Sequence, residues 1–491
     1  MLNLYNSLGR TLQEFKPLNG NKVKIYVCGP TVYSYLHVGN FRGPVFFNFV
    51  RNWLEHLGYD VEYASNFTDV DDKIIKKAET ENVAASVVSE KYILEYQKDF
   101  DQLGLEPLNF SPKVTETIPE IIQMIEQLIK NDKAYVAGLN PNSKEGDVHF
   151  SISHFPEYGK LSGRKIDDLL EGVRIDVNDK KKNPLDFALW KTAKSGEDLR
   201  GSAWNSPWGL GRPGWHIECS AMVKNIYGDQ IDIHGGGLDL MFPHHENEVA
   251  QTEGCTGQHY AKYWMHWNML NFGGNKMSKS LGNVVNMREF LEKNHPEVYK
   301  WIILSVHYRS LADFTDATID QSVAGLAKIY SALAMAESYV ISIEVDQKYE
   351  NELDRAWQKI TESLNHDFST PGAFAVLFEQ TRIFNSQFRR GLKASSFLSS
   401  KANGYINFVR KLGKFLALFR EKPAQFLVQL DDMLLQKLNV KRSDVDQLVQ
   451  ERFLARQSKD FARSDVIRDQ LSKMSISVSD TVEGSFWEVT K

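Results

Sequence analysis

Cysteine is scarce in this sequence. Only three cysteines occur among 491 residues, at Cys28, Cys219 and Cys255. So few cannot build the disulfide framework typical of small secreted proteins, and that class is excluded. We therefore expect any important cysteine to be a metal ligand or a nucleophile.

Long apolar runs and targeting segments are also missing. No run of about 18 apolar residues occurs, and no basic segment followed by an apolar core opens the sequence. Hydrophobic residues make up 42% and charged residues 25% of the chain, which is typical of a folded globular protein. We expect a cytoplasmic protein without membrane contact, and the length predicts about two to four domains.

Positive charge is not in excess, but it is unevenly distributed. The net charge of -5 argues against a protein that coats nucleic acid through bulk charge. Residues 381–420 nevertheless hold nine Lys or Arg and no Asp or Glu. This stretch could neutralise the phosphates of a folded nucleic acid, or it could be a solvated helix face, and composition leaves both interpretations open.

The segment 22–68 predicts a strand, a helix and a second strand. The first strand, KVKIYVCGP, carries Cys28 at its carboxyl end, and apolar residues at helical spacing follow, with Pro44 in the first turn. In an open parallel sheet of such units, ligands bind beyond the carboxyl ends of the strands. We therefore expect Cys28, the segment around His37 and Thr68 to lie at one binding edge.

The rest of the chain predicts a sheet domain with an insertion, followed by helices. A polar, irregular stretch from about residue 138 to 211 indicates the insertion, and the last fifty residues predict a small separate module. Helical periodicity dominates residues 84–103, 118–129 and about 295–435, and the predicted strands are DVHFSIS, DQIDIHGGG and YWMHWNML.

Three familiar motifs fail. GLGRPG at 209–214 matches the letters of the dinucleotide fingerprint, but no strand precedes it and Pro213 lies in a polar loop. DVDDKI lacks the glycine and glutamate that an EF-hand requires further along, so a solvated turn or a helix cap explains its carboxylates better. FPHHENEV is not a zinc-protease motif, because Val249 stands where the second histidine would be.

Other segments resemble a known family. CGPTVYSYLHVGN resembles the first signature of class I aminoacyl-tRNA synthetases, with His37, Gly39 and Asn40 in its H-x-G-H frame, and NKMSKSLGN matches their Lys-Met-Ser-Lys-Ser signature. GWHIECSAM and DIHGGGLDLMFPHHENE are similar to the cysteinyl-tRNA synthetase family in particular. With NFTDVDDKI and RQSKDFARSDVIRDQL, the resemblance covers essentially the whole chain.

The resemblance implies an α/β fold with a Rossmann-like, doubly wound parallel-sheet catalytic domain and an inserted connective domain. An α-helical bundle domain and a small C-terminal anticodon-binding domain would follow. The implied ranges are the first catalytic half at 1–115, the insertion at 116–212, the second catalytic half at 213–295, a helical stem-contact region at 296–345, the bundle at 346–430 and the anticodon-binding domain at 431–491.

The implied activity joins L-cysteine to the 3′ end of tRNA(Cys), through a cysteinyl-adenylate formed from ATP with Mg²⁺. No protein nucleophile is needed, only positioning and stabilisation of phosphate charge. The implied ATP-binding and catalytic residues are His37, Gly39, Asn40, Lys276 and Lys279, and losing one donor should cost about 3 kcal/mol. Asn40 replaces the usual second histidine; it keeps an N–H donor without positive charge, which leaves its contribution open.

The resemblance also implies one zinc ion, bound by Cys28, Cys219, His244 and Glu248. Two thiolates, an imidazole and a carboxylate suit zinc far better than calcium or magnesium. The metal would recognise the substrate thiolate, because shape alone separates cysteine from serine only about a hundredfold. The positions that match the family's residues around the bound amino acid are Gly29, Thr68, Trp215, His234 and Asp239. Cys255, His245 and Glu246 receive no role.

The C-terminal region suggests contact with RNA. Arg456, Phe461, Asp465 and Asp480 match positions that would read the anticodon, since charged and aromatic side chains bind unpaired bases. The alternative to anticodon contact, for each of these residues, is a position on a charged amphipathic helix. The alternative to a pocket role for Trp215 is packing in the core. The implied partners are tRNA(Cys), ATP and L-cysteine, and the chain is expected to be a monomer.

Two rival functions remain. A cysteine ligase of the mycothiol-pathway type would attach cysteine to a small amine, but such relatives lack the anticodon-reading module. A degenerate paralogue that binds RNA or zinc as a scaffold is disfavoured by the intact second signature and the complete set of metal donors.

Overall fold

The structure is a computed structural model of the 491-residue chain. It describes all residues except 139–144, 166–180, 195, 199–200, 273–274, 277–284, 342–345, 389–391 and 482–483, and it leaves the side chains of residues 275, 276 and 481 undescribed.

The strands and α-helices are numbered separately in chain order. The strands are β1 (Asn3–Asn6), β2 (Thr11–Glu14), β3 (Lys22–Val27), β4 (Asp60–Ser65), β5 (Ala134–Gly138), β6 (Gly146–Phe150), β7 (Phe187–Thr192), β8 (Gly211–Pro213), β9 (Ile231–Gly237), β10 (Ala261–Trp267), β11 (Leu270–Phe272), β12 (Asn275–Lys276), β13 (Ala312–Asp313), β14 (Ile476–Thr481) and β15 (Gly484–Val489). The helices are α1 (Arg42–His56), α2 (Asp72–Glu81), α3 (Ala85–Gln102), α4 (Ile118–Lys130), α5 (Ile217–Tyr227), α6 (Glu246–Thr256), α7 (Met287–Lys293), α8 (Pro296–Leu304), α9 (Asp316–Ser338), α10 (Gln347–Leu364), α11 (Thr370–Gln387), α12 (Ser396–Leu416), α13 (Pro423–Leu438), α14 (Arg442–Gln457) and α15 (Phe461–Lys473).

The central sheet is parallel, in the order β10-β9-β3-β4. Strand β3 lies between β9 and β4, and Ile25 of β3 is in register with Ile233 of β9 and Tyr63 of β4. Two hydrophobic clusters cover the sheet, with Ile25 in one and the adjacent Tyr26 in the other. The α/β prediction and the predicted strand, helix, strand unit are therefore confirmed.

Helix α1 follows β3 and packs against the sheet. Pro44 lies in its first turn. Gly58, two residues after the end of the helix, has a φ of +95°, a left-handed backbone conformation that favours glycine. The Arg42 side chain is buried and donates to the backbone carbonyls of Met269, at 2.6 Å, and Ser310, at 2.7 Å. These bonds fix the start of α1 beside the carboxyl edge of the sheet.

The insertion forms an antiparallel sheet in the order β5-β6-β7-β8. The predicted strand DVHFSIS is shorter than expected, because β6 ends at Phe150 and a 3-10 turn, Ile152–His154, follows. GLGRPG contributes β8, which pairs with β7, in agreement with its rejection as a dinucleotide motif.

The prediction that YWMHWNML is one strand is wrong. Strand β10 ends at Trp267, and β11 belongs to a different sheet with β12 and β13. The backbone N–H of Asn268 donates to the Tyr308 carbonyl, at 2.9 Å, which turns the chain out of the central sheet.

Helices α9 to α13 follow, as the periodicity predicts, and the C-terminal residues have a core of their own. Helices α14 and α15 and the hairpin β14-β15 share a small cluster around Val445, Ile467 and Val489. Within the described ranges, no helix is long and apolar enough to cross a membrane.

Candidate active site and metal centre

A cavity of about 390 Å³ lies at the carboxyl edge of the central sheet. Cys28, His37 and Thr68 all line it, as the edge of a parallel sheet predicts. Helix α5 and the irregular segment before α6 close the other side with Cys219 and His244.

Four donor groups converge beside this cavity. The ligand atoms of Cys28, Cys219, His244 and Glu248 all lie within 4.8 Å of one another. The Cys28 Sγ is 3.7 Å from the Cys219 Sγ and 3.3 Å from Glu248 Oε1, and His244 Nε2 is 3.1 Å from the same Oε1. The spacing of four residues between His244 and Glu248 places both on one side of the helix start.

The donor set fits a tetrahedral zinc ion. Zinc–sulfur bonds of about 2.3 Å separate two sulfur ligands by about 3.8 Å in a tetrahedron. The observed separation of the Cys28 and Cys219 sulfurs, 3.7 Å, agrees with that edge. Sulfur and nitrogen donors of this kind exclude calcium and magnesium as the preferred ions.

The donors of the cluster have pKa values that are shifted in different directions, and burial raises the pKa of Cys28 well above its usual value. The hydrogen bond with the Cys28 thiol lowers the pKa of Cys219 to about 6, against burial, which raises it. Burial lowers the pKa of His244, but the Glu248 charge and the bond to Cys219 outweigh this and raise the pKa to about 10. Burial raises the pKa of Glu248, and the charges of His234 and His244 bring it well below its usual value.

The two oxygens of Glu248 have different partners. Oε1 faces Cys28 and His244, whereas Oε2 lies 2.9 Å from His234 Nε2 and accepts from the Tyr260 hydroxyl at 3.1 Å. These partners orient the carboxylate, as groups behind a metal ligand do. His234 is fully buried and is not among the described residues that line the cavity, so its contact with the amino acid stays a prediction.

A second set of donors, Cys28, His234, His245 and Glu248, also lies within 4.8 Å. In this set His234 Nε2 lies 2.9 Å from Glu248 Oε2 and His245 Nδ1 lies 2.8 Å from His266 Nε2, while the other ring nitrogen of each has no hydrogen-bond partner among the described residues. The first set is the better metal site, because it adds the Cys219 thiol and because three of its members, Cys28, Cys219 and His244, line the open cavity.

His37 and Asn40 form the turn that carries the first signature. The His37 backbone N–H donates to Asn40 Oδ1 at 3.1 Å, so Asn40 closes the 3-10 turn Val38–Phe41. A Cβ atom on Gly39 would lie 3.0 Å from the His37 ring, so glycine lets the imidazole pack closely. Both His37 and Asn40 line the cavity.

Residues predicted around the amino acid surround the same cavity. Gly29, Thr68, Trp215 and Asp239 line it. A Cβ atom on Gly29 would lie 1.7 Å from the Asn66 carbonyl oxygen, so only glycine fits there. The Trp215 side chain is 41% exposed and its ring lies 4.5 Å from that of His244, which places it at the entrance instead of in the core.

Sequence reasoning missed the role of Glu246. Its carboxylate is fully buried and accepts from the backbone N–H groups of Gly159, at 3.0 Å, Leu161, at 3.3 Å, and Ser162, at 2.7 Å. The next residue, Asn247, accepts from the Tyr158 hydroxyl at 2.5 Å. The insertion is thereby bound to α6, the helix that carries the metal donor Glu248. The buried Arg42 was missed in the same way.

The structure describes only part of the second signature. Lys279 lies outside the described residues, and of Lys276 only the backbone, in β12, is described. Their predicted contact with ATP remains a prediction.

The four residues predicted to read the anticodon lie in the C-terminal module. Phe461 is 58% exposed at the start of α15, and Asp465 pairs with Arg468 at 3.4 Å. Asp480 accepts two bonds from Arg452, at 2.7 and 2.9 Å, and lies 3.4 Å from Arg456.

Comparison with known proteins defines first the class and then the family. The family described as tRNA synthetases class I (C) catalytic domain matches residues 14–324, and the DALR domain matches residues 359–420. A solved Mycobacterium tuberculosis methionyl-tRNA synthetase in complex with methionyl-adenylate has a similar fold, with a TM-score of 0.60 at 12% identity over 86% of this chain and 95% of that one. The chain is therefore a class I aminoacyl-tRNA synthetase, and its fold is similar to that of the solved relative.

Similar sequences narrow the assignment. Cysteine--tRNA ligase of Bdellovibrio bacteriovorus is 59% identical over 100% of both chains, and that of Geotalea daltonii is 42% identical over 99% of both. The chain belongs to the cysteine--tRNA ligase family.

Proposed function

We propose that this protein activates L-cysteine with ATP, releases pyrophosphate and transfers the cysteinyl group to the 3′ end of tRNA(Cys). The observation that carries the proposal is the convergence of two thiols, an imidazole and a carboxylate on the cavity that His37 also lines. Such a set distinguishes sulfur from oxygen, which is what selection of cysteine over serine requires.

The residues of the two signatures bind the phosphates of ATP. His37, Asn40 and the backbone of Gly39 donate to the phosphates of ATP, and Lys276 and Lys279 hold the triphosphate with Mg²⁺. The Asn40 oxygen is engaged with the His37 backbone, so its amide nitrogen is the group that donates.

Cys28, Cys219, His244 and Glu248 hold one zinc ion per chain. When bound, the ion would accept the thiolate of the substrate as a ligand, whereas the hydroxyl of serine stays protonated and binds poorly. Glu248 stays in place because His234 and Tyr260 hold its second oxygen.

The remaining pocket residues orient the amino acid. Gly29, Thr68 and Asp239 surround its backbone groups, Trp215 covers the entrance, and His234 acts from behind Glu248.

The C-terminal half serves tRNA. The bundle at residues 346–430 supports the tRNA, and the module at residues 431–491 reads the anticodon through Arg456, Phe461, Asp465 and Asp480. The matched DALR domain at residues 359–420 lies within the proposed bundle and supports this division, with the boundaries given above for the other regions. The protein works as a monomer in the cytoplasm, where charged tRNA is used.

Two assays test the proposal. Cysteine-dependent exchange of pyrophosphate into ATP measures activation, and labelled cysteine measures transfer to tRNA(Cys). We expect both activities. Exchange with transfer only to a small amine would instead support the ligase alternative, and absence of both would leave only a binding scaffold.

A further inference from the structure

The metal donor His244 lies outside the regular part of its helix. It belongs to the segment Met241–His245, in which Phe242 has an extended backbone with φ −140° and ψ 131°, and the regular helix α6 begins only at Glu246. Helical hydrogen bonds fix backbone positions only within a regular helix. The separation of 3.1 Å between His244 Nε2 and Glu248 Oε1 therefore depends on contacts from elsewhere in the chain.

A loop of the insertion, residues 158–164, which we call the anchor loop, contacts the chain on both sides of that irregular step. Three backbone N–H groups of the anchor loop donate to the fully buried carboxylate of Glu246, the first residue of α6. At the other end of the loop, the guanidinium of Arg164 lies 4.4 Å from the centre of the Phe242 ring. The backbone that carries His244 thus runs between two points that the insertion holds.

Side chains of the anchor loop bind α6 at two further places. The Tyr158 hydroxyl donates to Asn247 Oδ1 at 2.5 Å. Lys160 pairs with Glu253, which lies two turns after the start of the helix. The anchor loop therefore contacts the first two turns of α6 as well as the segment before it, and Glu248 lies within this contact.

The anchor loop is held in one shape by contacts of its own. Gly159 has a φ of +98°, and a Cβ atom there would lie 2.0 Å from the Arg164 carbonyl oxygen. The Gly163 N–H donates to the Gly159 carbonyl at 2.7 Å, and Arg10, just before β2, donates to the Ser162 carbonyl at 2.6 Å. These contacts let the loop present its N–H groups as a fixed binding site for a carboxylate.

We propose that the anchor loop, through Glu246, positions His244 and Glu248 for zinc and thereby sets how tightly the protein holds the metal. The inference rests on the proposed function, since it assigns a positioning residue to the zinc site. Glu246 belongs to neither donor set within the described residues, but it lies two residues from His244 and two from Glu248. His216 contacts the His244 ring, with 3.0 Å between their Nδ1 atoms, whereas the anchor loop acts on the backbone that carries the ring.

Competition for zinc tests the proposal. Full-length, zinc-loaded protein is titrated with a chelator of known zinc affinity, and the zinc that stays on the protein is measured. We expect Glu246→Gln to bind zinc roughly tenfold more weakly than the unsubstituted protein, the lower end of the effect of groups that orient metal ligands. Arg164→Ala should weaken binding in the same direction. Loss of its positive charge alone would strengthen the binding of a cation, so weaker binding reports a change of position.

Two control variants separate positioning from charge and from stability. Lys165→Ala removes a positive charge from the exposed residue next to Arg164 and should bind zinc at least as tightly as the unsubstituted protein. Val148→Ala leaves a cavity in the buried core of the insertion and lowers stability, but it removes no hydrogen bond of the anchor loop. It should leave the zinc affinity unchanged.

Exchange kinetics provide a second measurement. In pyrophosphate exchange with excess zinc, Glu246→Gln should raise KM for cysteine by up to about tenfold, because the metal donors are displaced. KM for ATP should not change, because His37 and Asn40 lie in a different turn. A merely structural role would lower kcat through loss of folded protein and leave both KM values as they are.

Three outcomes would contradict the proposal. Unchanged zinc affinity in both Glu246→Gln and Arg164→Ala would overturn it and leave the proposed function intact. Equal weakening in Val148→Ala would assign the effect to stability and overturn it as well. Unsubstituted protein that neither binds zinc nor catalyses cysteine-dependent exchange would overturn both this inference and the proposed function.

Discussion

Single side chains carry the selectivity proposed for this protein, and Cys219 is the most direct test. Cys219→Ser should lower zinc content well below one ion per chain, because serine is a poor zinc ligand. Preference for cysteine over serine in exchange should then fall toward the roughly hundredfold that shape provides. Metal analysis of the purified protein measures the first effect.

Cys255→Ser is the control for that variant. Cys255 is also buried, and burial raises its pKa, but it belongs to neither donor set within the described residues. It should keep zinc and selectivity. Unchanged zinc content in Cys219→Ser would contradict the ligand assignment.

Glu246 should matter for stability more than its sequence suggests. Glu246→Gln places an amide against three backbone N–H donors and should lower the free energy of unfolding by about 2 kcal/mol. Glu157→Gln, which breaks an exposed pair with Lys160, should cost at most about 1 kcal/mol. Urea unfolding of both full-length variants makes the comparison, and equal losses would contradict the role given to Glu246.

Which site residues were predictable depends on where their partners lie. Cys28 and Thr68 follow adjacent parallel strands, so strand patterns alone placed them together. Glu246 bonds to backbone groups of an insertion more than 80 residues earlier in the chain. A sequence does not show which backbone N–H groups a side chain will bind. In the same way, nothing in the sequence indicated that the Tyr260 hydroxyl donates to the second oxygen of Glu248.

Among the secondary-structure elements, the C-terminal hairpin is joined to α14 by an ion pair. Asp480 on β14 is bound by Arg452 of α14, and this hydrogen-bonded pair lowers the pKa of Asp480 to about 2. The lowered pKa adds stability that is present above about pH 4 and is lost as the pH falls toward 2. The carboxylate is partly exposed, so we expect only about 1 kcal/mol.

Asp480→Asn should therefore speed hydrogen exchange of the β14-β15 amides at pH 7. The same substitution should have little effect near pH 2, where the carboxyl is half protonated. Asp465→Asn is the control, because its pair with Arg468 is exposed on both sides. Equal hairpin protection in Asp480→Asn and the unsubstituted protein at pH 7 would show that the ion pair does not hold the hairpin.

Elements with local signals were predictable, and those with distant partners were not. Helix α1 has its Pro44 start and Gly58 end in its own sequence. Strand β11 pairs with β13, whose residues lie some 40 positions later, so the apolar run through Trp267 gave no sign of the break. Short strands paired in this way are set by tertiary contacts instead of propensity.

Across the whole molecule, the basic stretch at residues 381–420 divides into two groups. Arg410 donates to the Phe419 carbonyl, and Arg420 donates to the Gly104 carbonyl and pairs with Glu106, so both hold the fold. The exposed Lys411 and Lys414 instead line a cavity of about 570 Å³. Contact of Lys411 and Lys414 with nucleic acid stays a prediction.

Lys411 and Lys414 should contribute to tRNA binding through charge. Lys411→Ala with Lys414→Ala should weaken tRNA binding and lower the slope of log affinity against log salt by about one for each lost phosphate contact. Lys359→Ala, an exposed lysine outside this cavity, is the control. Binding titrations between low and physiological salt provide the slope, and an unchanged slope would assign both lysines to the solvated face.

The overall architecture was predictable because its signals repeat along the chain. Alternating strands and helices predict a parallel sheet, and the long helical periodicity after residue 295 predicts the bundle. How the two pack was not predictable: Trp53 of α1 donates to Asn365 Oδ1 at 3.1 Å and its ring lies 5.5 Å from that of Phe415. These partners are more than 300 residues apart, and no sequence pattern in either segment indicates that it contacts the other.

The central claim is that a metal-centred pocket selects cysteine for attachment to tRNA. The most direct measurement compares kcat/KM for charging tRNA(Cys) with cysteine and with serine. We expect a ratio of at least about ten thousand, equivalent to about 5.5 kcal/mol of discrimination. A ratio near one hundred, which shape alone explains, would contradict the account.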